Sequence, residues 1–63
     1  MYPFANIPTL NIADSVERAL AIMDQNHLTE LPCLYNSNFV GFYTEDILLN
    51  YTYETKLEEI QSI

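Results

Sequence analysis

The chain has few of the residues that small domains use to hold themselves together. Among its 63 residues there is one cysteine, Cys33, and one histidine, His27. A lone cysteine excludes an internal disulfide, and the spacing between these two side chains argues against a structural zinc site. A chain this short buries only about 60% of the surface that its unfolded form exposes. Because 49% of the residues are hydrophobic, we expect part of that apolar surface to be buried against another chain or another half of the same chain.

Positive charge is equally scarce. Arg18 and Lys56 are the only fixed cations against nine acidic residues, and the formal net charge is −7. Nucleic-acid binding requires a basic surface, so the charge excludes that class, and it disfavours anionic membranes for the same reason. A phosphate ligand would meet backbone N–H groups but almost no cationic side chains.

Long apolar runs and export signals are also missing from the sequence. No run approaches the roughly 20 residues of a transmembrane helix. The opening MYPFANIP has neither the basic nor the apolar region of a signal peptide. Together with the single free cysteine, these features predict a cytoplasmic protein.

Three stretches of the sequence are typical of β-strands. IPTLNI at 7–12 predicts a short strand, which Pro8 confines to a sheet edge or a strand start. ELPCLYN at 30–36 and NFVGFYT at 38–44 predict two longer strands. The NSN sequence between them is turn chemistry, so the pair is expected to form an antiparallel hairpin.

The stretch DSVERALAIMDQNHL has a different period. Its apolar residues recur at steps of three and four, which is the pattern of one helix face. Asp14 is the expected N-cap, with Glu17 completing a capping box. Asn26 or His27 is expected to end the helix, because both residue types tolerate positive φ. His27 could also act as a pH-sensitive group.

A second, shorter helix is predicted directly after the third strand, in EDILLNY. Thr44 is its expected N-cap, with Glu45 and Asp46 in the first turn. Near the end of the chain, KLEEIQSI predicts another helical turn, with apolar residues at helical steps: Leu57, Ile60 and Ile63. The fold class is therefore α+β, in the order strand, helix, strand, strand, helix. Helices on one face of such a sheet would leave its other face apolar and in need of a partner.

Three pieces of the sequence, in this order, resemble a cystathionine-β-synthase (CBS) motif. They are TLNIADSVERALAIM, LTELPCLYN and FVGFYTEDILL, and the resemblance covers roughly residues 7–50. It implies a β-α-β-β-α unit with a three-stranded sheet and two helices on one face. Residues 51–63 resemble the connector toward a second motif or form a C-terminal tail. Residues 1–63 would then be a single CBS motif, or half of a paired (Bateman) module.

The resemblance also implies a nucleotide site at the junction of the third strand and second helix. The family pattern there is G-x-x-T-x-x-D; Gly41 and Thr44 match it, Ile47 occupies the aspartate position, and Asp46 comes one residue earlier. A threonine hydroxyl and helix N–H groups can hold a phosphate, and a carboxylate can accept hydrogen bonds from ribose hydroxyls. The alternative is that Thr44, Glu45 and Asp46 form only an acidic helix N-terminus.

Four further positions match the family pattern. Thr9 matches a first-strand position whose backbone often lines the adenine site, and Leu31, Pro32 and Cys33 match a Leu-Pro-aliphatic strand. Two of them have a structural alternative: Thr9 as an ordinary strand threonine, and Cys33 as a small buried hydrophobe. Gly41 likewise either admits a ligand to the backbone or relieves a clash at a bulge.

The function that the resemblance implies is that of a non-catalytic regulatory module. It would pair with a second CBS motif, as a homodimer or with a missing C-terminal half. The shared cleft would bind an adenosine-type effector: AMP, ADP, ATP or S-adenosylmethionine. The alternative is a dimerisation or scaffold module without a ligand. An enzyme is disfavoured because the sequence shows no activated nucleophile, no phosphate-binding glycine loop and no carboxylate pair in a plausible cleft.

Overall fold

A computed structural model describes residues 7–62. It confirms the predicted α+β class and the order of the elements. A single turn of 3₁₀ helix follows the last α-helix. The elements are β1 (Leu10–Asn11), α1 (Val16–Gln25), β2 (Glu30–Tyr35), β3 (Asn38–Thr44), α2 (Glu45–Leu48) and the 3₁₀ turn (Leu57–Glu59).

The strands form one mixed sheet in the order β1-β2-β3. β1 runs parallel to β2, with Leu10 opposite Cys33, and β2 and β3 form the predicted antiparallel hairpin. β1 lies at the sheet edge, as Pro8 led us to expect, but it is two residues long and the prediction of a strand over 7–12 is wrong in extent.

The loop after β1 explains why the strand is short. The Asn11 side-chain carbonyl accepts a hydrogen bond from the Ala13 N–H at 2.8 Å, and the Asn11 N–H donates to the Asp14 carboxylate at 3.0 Å. These local side-chain bonds offer the backbone an alternative to the strand ladder. The last backbone bond to β2 comes from the Ile12 N–H, which donates to the Leu34 carbonyl at 3.1 Å, and the chain then turns toward α1.

The same loop corrects the predicted start of α1. Ser15, not Asp14, is the N-cap, and its Oγ accepts a hydrogen bond from the Arg18 N–H at 3.2 Å. The Asp14 carboxylate is engaged by the loop and lies 3.8 Å from Nε of Arg18. The predicted capping box of Asp14 and Glu17 is therefore wrong, because Arg18 is the third residue after the N-cap and Glu17 is the second.

The predicted chain reversals are confirmed by residues with positive φ. Asn26 is the C-cap of α1, and His27 directly after it has a φ of 55°. In the hairpin, Asn36 and Ser37 have φ values of 50° and 69°. Positive φ at both central residues is the signature of the two-residue turn that best matches strand twist.

One face of the sheet forms the core. Side chains alternate between faces along a strand, so Leu31 and Cys33 of β2 share a face with Tyr43, the partner of Leu31 on β3. Helix α1 packs against that face. Among residues 7–62, the buried cluster consists of Leu10, Val16, Ala19, Met23, Leu31, Cys33, Tyr43, Leu48, Leu57 and Ile60.

The predicted helical turn near the end of the chain is present and belongs to this core. Leu57 is fully buried and Ile60 is 4% exposed, although both lie in the segment predicted as a connector. Ile63, the third residue of that predicted helical face, lies outside the described residues. The division into a core over 7–50 and a connector over 51–63 stays a prediction.

Candidate functional site

The end of β3 and the start of α2 form an open cleft. Thr44 ends the strand and caps the helix, as predicted, and its Oγ1 accepts a hydrogen bond from the Ile47 N–H at 3.2 Å. The Glu45 N–H donates to the Thr29 carbonyl at 2.8 Å, which holds the helix against the start of β2. The cleft has a volume of about 350 Å³. We call it the acidic cleft; it is lined by Thr29, Glu30, Thr44, Glu45 and Asp46.

The electrostatics of the acidic cleft oppose a phosphate ligand. Glu30, Glu45 and Asp46 are exposed carboxylates, and neither Arg18 nor Lys56 is among the lining residues. The Glu45 N–H already donates to the Thr29 carbonyl, and the Ile47 N–H donates to Oγ1 of Thr44. Few backbone donors at the start of α2 are therefore left for an anion. Carboxylates accept hydrogen bonds from hydroxyl and ammonium groups, so the cleft suits a ligand rich in donors.

The departure from the family pattern does not remove the aspartate from the cleft. Asp46 lines it, whereas Ile47, at the expected aspartate position, is half-buried against the hydrophobic core. The sequence therefore keeps a carboxylate at the junction with Thr44. Ribose binding by the Asp46 carboxylate stays a prediction.

The other predicted site residues lie elsewhere. Thr9 is exposed and lines a second open cleft near Asn11 and Arg18. The side chains of Leu31 and Cys33 are fully buried in the core, so only their backbone could face a ligand. Pro32 is also buried, between them on the opposite face of the sheet.

Cys33 has the environment of a structural cysteine. It is a free thiol with no exposed surface. Burial raises the pKa of the Cys33 thiol, and the negative charge of Asp14 raises it further. A reactive cysteine needs a lowered pKa and access to solvent, and both are lacking here.

Gly41 occupies a position that requires glycine. It is buried, has a φ of 146°, and lies opposite Cys33 where the β2–β3 register shifts. A Cβ atom at positive φ collides with the backbone, and the irregular register is typical of a β-bulge. These features give Gly41 a structural role in β3, whether or not a ligand approaches it.

The sheet face opposite the core carries an aromatic pair. Phe39 and Phe42 pack edge to face, with ring centroids 5.1 Å apart. Phe39 is 52% exposed, Phe42 and Leu34 are half-buried, and Pro32 is buried. The expectation of an uncovered apolar face therefore holds only in part. We call these four residues the Phe39 face.

Residues 7–62 contain neither a metal-binding cluster nor a membrane-spanning helix. No three His, Cys, Asp or Glu side chains in this part of the chain are grouped as a metal ion would need. Within the same residues, no helix combines the length and apolar character needed to cross a membrane.

Two residues that line the acidic cleft, Thr29 and Glu30, were not predicted from the sequence. A signal for them did exist, because the hairpin brings the start of β2 beside the end of β3. Glu30 is opposite Thr44 in the observed register, and the Thr29 carbonyl accepts the first N–H of α2.

Comparison with solved structures places this small α+β module among known folds. The chain is similar to the CBS domains of a transcriptional regulator from Streptococcus pneumoniae, with 19% identity and a TM-score of 0.83 over 97% of this chain and 52% of that chain. It is also similar to the CBS domain of a bacterial CNNM/CorC family Mg²⁺ transporter, with 20% identity and a TM-score of 0.79 over 97% of this chain and 41% of that chain. No protein-family model and no curated protein matches the sequence. The chain therefore has the fold of a CBS domain, and it spans roughly half of the first solved chain and two fifths of the second.

Proposed function

We propose that this chain is a regulatory module that pairs with a second CBS motif through the Phe39 face. The observation that carries the proposal is the exposure of Phe39, 52%, on the side of the sheet away from α1. The similar folds come from a transcriptional regulator and a Mg²⁺ transporter, and this chain spans only 52% and 41% of them. Both facts support a non-catalytic unit that works as part of a larger assembly.

Charge supports pairing through this face rather than another. Each copy carries a formal net charge of −7, so two copies repel each other over most of their surfaces. The Phe39 face is built from apolar side chains: Pro32, Leu34, Phe39 and Phe42. Burying it removes apolar area from water, at roughly 25 cal/mol per Å², without burying a carboxylate among these residues.

The pairing is tested by sedimentation velocity of the purified chain from micromolar to submillimolar concentration. We expect a reversible dimer, since a second copy can take the place of a second motif. Phe39→Asp should move the equilibrium to monomer, because pairing would then bury an unpaired charge. Tyr53→Asp is the matched control, since Tyr53 is 59% exposed and lies outside the Phe39 face.

Two outcomes contradict the pairing proposal. One is a wild-type chain that stays monomeric over the whole concentration range. The other is a Phe39→Asp variant that dimerises as the wild type does while its circular dichroism spectrum shows that it is folded.

We propose further that the acidic cleft binds an adenosyl ligand in the paired protein. Asp46 would accept hydrogen bonds from ribose hydroxyls, and the Thr44 hydroxyl, which already accepts the Ile47 N–H, still has a proton to donate. Among AMP, ADP, ATP and S-adenosylmethionine, the carboxylates favour S-adenosylmethionine, because it carries a sulfonium and an ammonium group whereas the nucleotides carry phosphates. The alternative is the scaffold module without a ligand.

Thermal unfolding with each of these four compounds tests the ligand proposal. A ligand that binds only the folded state raises Tm, and we expect S-adenosylmethionine to raise it by several degrees and ATP least. Asp46→Asn should reduce the shift at least severalfold, and Thr44→Val should do so more than Thr44→Ser, which keeps the hydroxyl. Glu54→Gln, an exposed acid outside the cleft, is the charge-matched control. No shift with any of the four compounds would leave the scaffold alternative.

A further inference from the structure

Residues 53–60 lie across the start of α1, and we call them the strap. The first N–H groups of a helix have no partner within the helix. Here the Val16 N–H donates to the Thr55 carbonyl at 2.8 Å, and the Glu17 N–H donates to the Tyr53 carbonyl at 3.1 Å. The strap therefore supplies the carbonyls that the beginning of α1 needs.

The strap also donates hydrogen bonds in the opposite direction. The Leu57 N–H donates to the Asp14 carbonyl at 2.9 Å, and the Glu58 N–H donates to the Ile12 carbonyl at 3.0 Å. Between these bonds, Ser15 and Lys56 form an isolated antiparallel bridge. The strap therefore both accepts backbone hydrogen bonds from the segment 12–17 and donates backbone hydrogen bonds to it, as two strands of a short ladder do.

The hydroxyl of Tyr43, which is buried in the core, hydrogen-bonds the C-terminal end of the strap. The hydroxyl oxygen lies 2.8 Å from the carbonyl oxygens of both Leu57 and Ile60. The hydroxyl has one proton and donates to one carbonyl at a time. The Leu57 carbonyl already accepts a hydrogen bond from the Ile60 N–H at 2.9 Å. The proton of the Tyr43 hydroxyl therefore matters more to the Ile60 carbonyl. Burial raises the pKa of the Tyr43 hydroxyl, which keeps that proton in place.

We propose that the strap opens and closes as one unit, separately from global unfolding, and that the hydrogen bond from the Tyr43 hydroxyl holds it closed. This inference goes beyond the proposed function and depends on neither pairing nor a nucleotide. Proteins open locally in cooperative units when few buried contacts hold a segment, and only Leu57 and Ile60 of the strap are buried. The open state would release the first N–H groups of α1 and the chain beyond Ile60. Any partner that prefers one state would shift the balance between them.

Amide hydrogen exchange of the wild-type chain tests whether the strap is a unit. Opening of the strap exposes amides at two distant places in the sequence together: Val16 and Glu17, and Leu57 and Glu58. We expect these four amides to share one opening free energy, smaller than that of the amides that pair β2 with β3. Simple fraying from the C-terminus would instead expose Glu58 and Leu57 while Val16 and Glu17 stay protected, and that result would overturn the proposal.

A substitution of Tyr43 tests the role of its hydroxyl. Tyr43→Phe keeps the ring in the core but removes the hydroxyl, and we expect about tenfold faster exchange at all four strap amides, with the β2–β3 amides changed much less. Equal acceleration of every amide, or no acceleration at the strap, would contradict the role of Tyr43.

A substitution outside the core distinguishes opening of the strap from a general loss of stability, which Tyr43→Phe could also cause. The Lys56 N–H donates to the exposed Glu59 carboxylate at 2.9 Å, so Glu59→Gln should speed exchange at the same four amides by a few fold. Glu58→Gln makes the same change of charge at the neighbouring exposed position and should have no such effect. If Glu59→Gln leaves the four amides unchanged, or alters them independently of one another, the strap is not a unit.

Discussion

Replacing Gly41 with valine should cost about 2–6 kcal/mol of folding free energy. Gly41 has a φ of 146° and is buried opposite Cys33. A valine there would suffer the backbone clash of any Cβ atom at positive φ and would also push two methyl groups into the packed core. A domain of this size has a total stability of only about 3–9 kcal/mol, so the variant should be partly or largely unfolded at room temperature.

Urea unfolding followed by circular dichroism measures this effect. Gly41→Ala separates the two causes, since it introduces the Cβ atom with little added volume, and it should cost about 1–3 kcal/mol. Val40→Ala is the neighbouring control, because Val40 is 42% exposed and should change stability much less. Wild-type stability in Gly41→Ala would mean that the backbone at this position is not constrained as described.

Replacing Leu31 with alanine should cost about 2–5 kcal/mol. Leu31 is fully buried, and its partner across the hairpin is Tyr43. The substitution leaves a cavity between the sheet and α1, which the surrounding side chains can fill only in part. The family pattern also makes Leu31 a candidate ligand residue, and a residue that served only a ligand would lose binding with little loss of stability.

Leu49→Ala is the matched control for this experiment, since it removes the same atoms from a side chain that is 61% exposed. Urea unfolding of both variants should give midpoints far apart, with Leu49→Ala close to the wild type. Similar losses in the two variants would contradict the assignment of the core to the Leu31 side of the sheet.

The strands and turns of the hairpin could be predicted because local chemistry determines them. NFVGFYT became β3 with the predicted ends, and NSN formed the two-residue turn at Asn36 and Ser37, where Asn36 is a residue type that tolerates positive φ. The N-cap of α1 was misplaced by one residue because Asp14 and Ser15 are both good caps. In the structure the Asp14 carboxylate accepts the Asn11 N–H, and Ser15 caps the helix.

The acidic cleft could be predicted only in part because its register depends on a bulge. Counting back from the Asn36–Ser37 turn without a bulge would pair Glu30 with Tyr43. The shift between Cys33 and Leu34 moves that partner to Thr44, which brings Glu30 to the cleft. Gly41 hinted at an irregularity but did not give its direction.

The strap could not be predicted because its bonds join parts of the chain that are far apart in sequence. Periodicity indicated a helical turn at Leu57 and Ile60, but it did not show what those residues pack against. The backbone bonds from Val16 and Glu17 to the strap involve no side-chain type that a pattern could reveal. The one available signal was the hydroxyl of Tyr43, which ends the apolar and aromatic stretch 39–43 of β3.

Pairing through the Phe39 face can be located residue by residue from amide NMR shifts at increasing protein concentration. We expect the largest shifts on β2 and β3, at Leu34, Phe39 and Phe42, and we expect them to saturate along the dimerisation curve. Shifts confined to the exposed side of α1, at Glu17, Ala21 and Asp24, would show that the chain pairs through its helices and would contradict pairing through the Phe39 face.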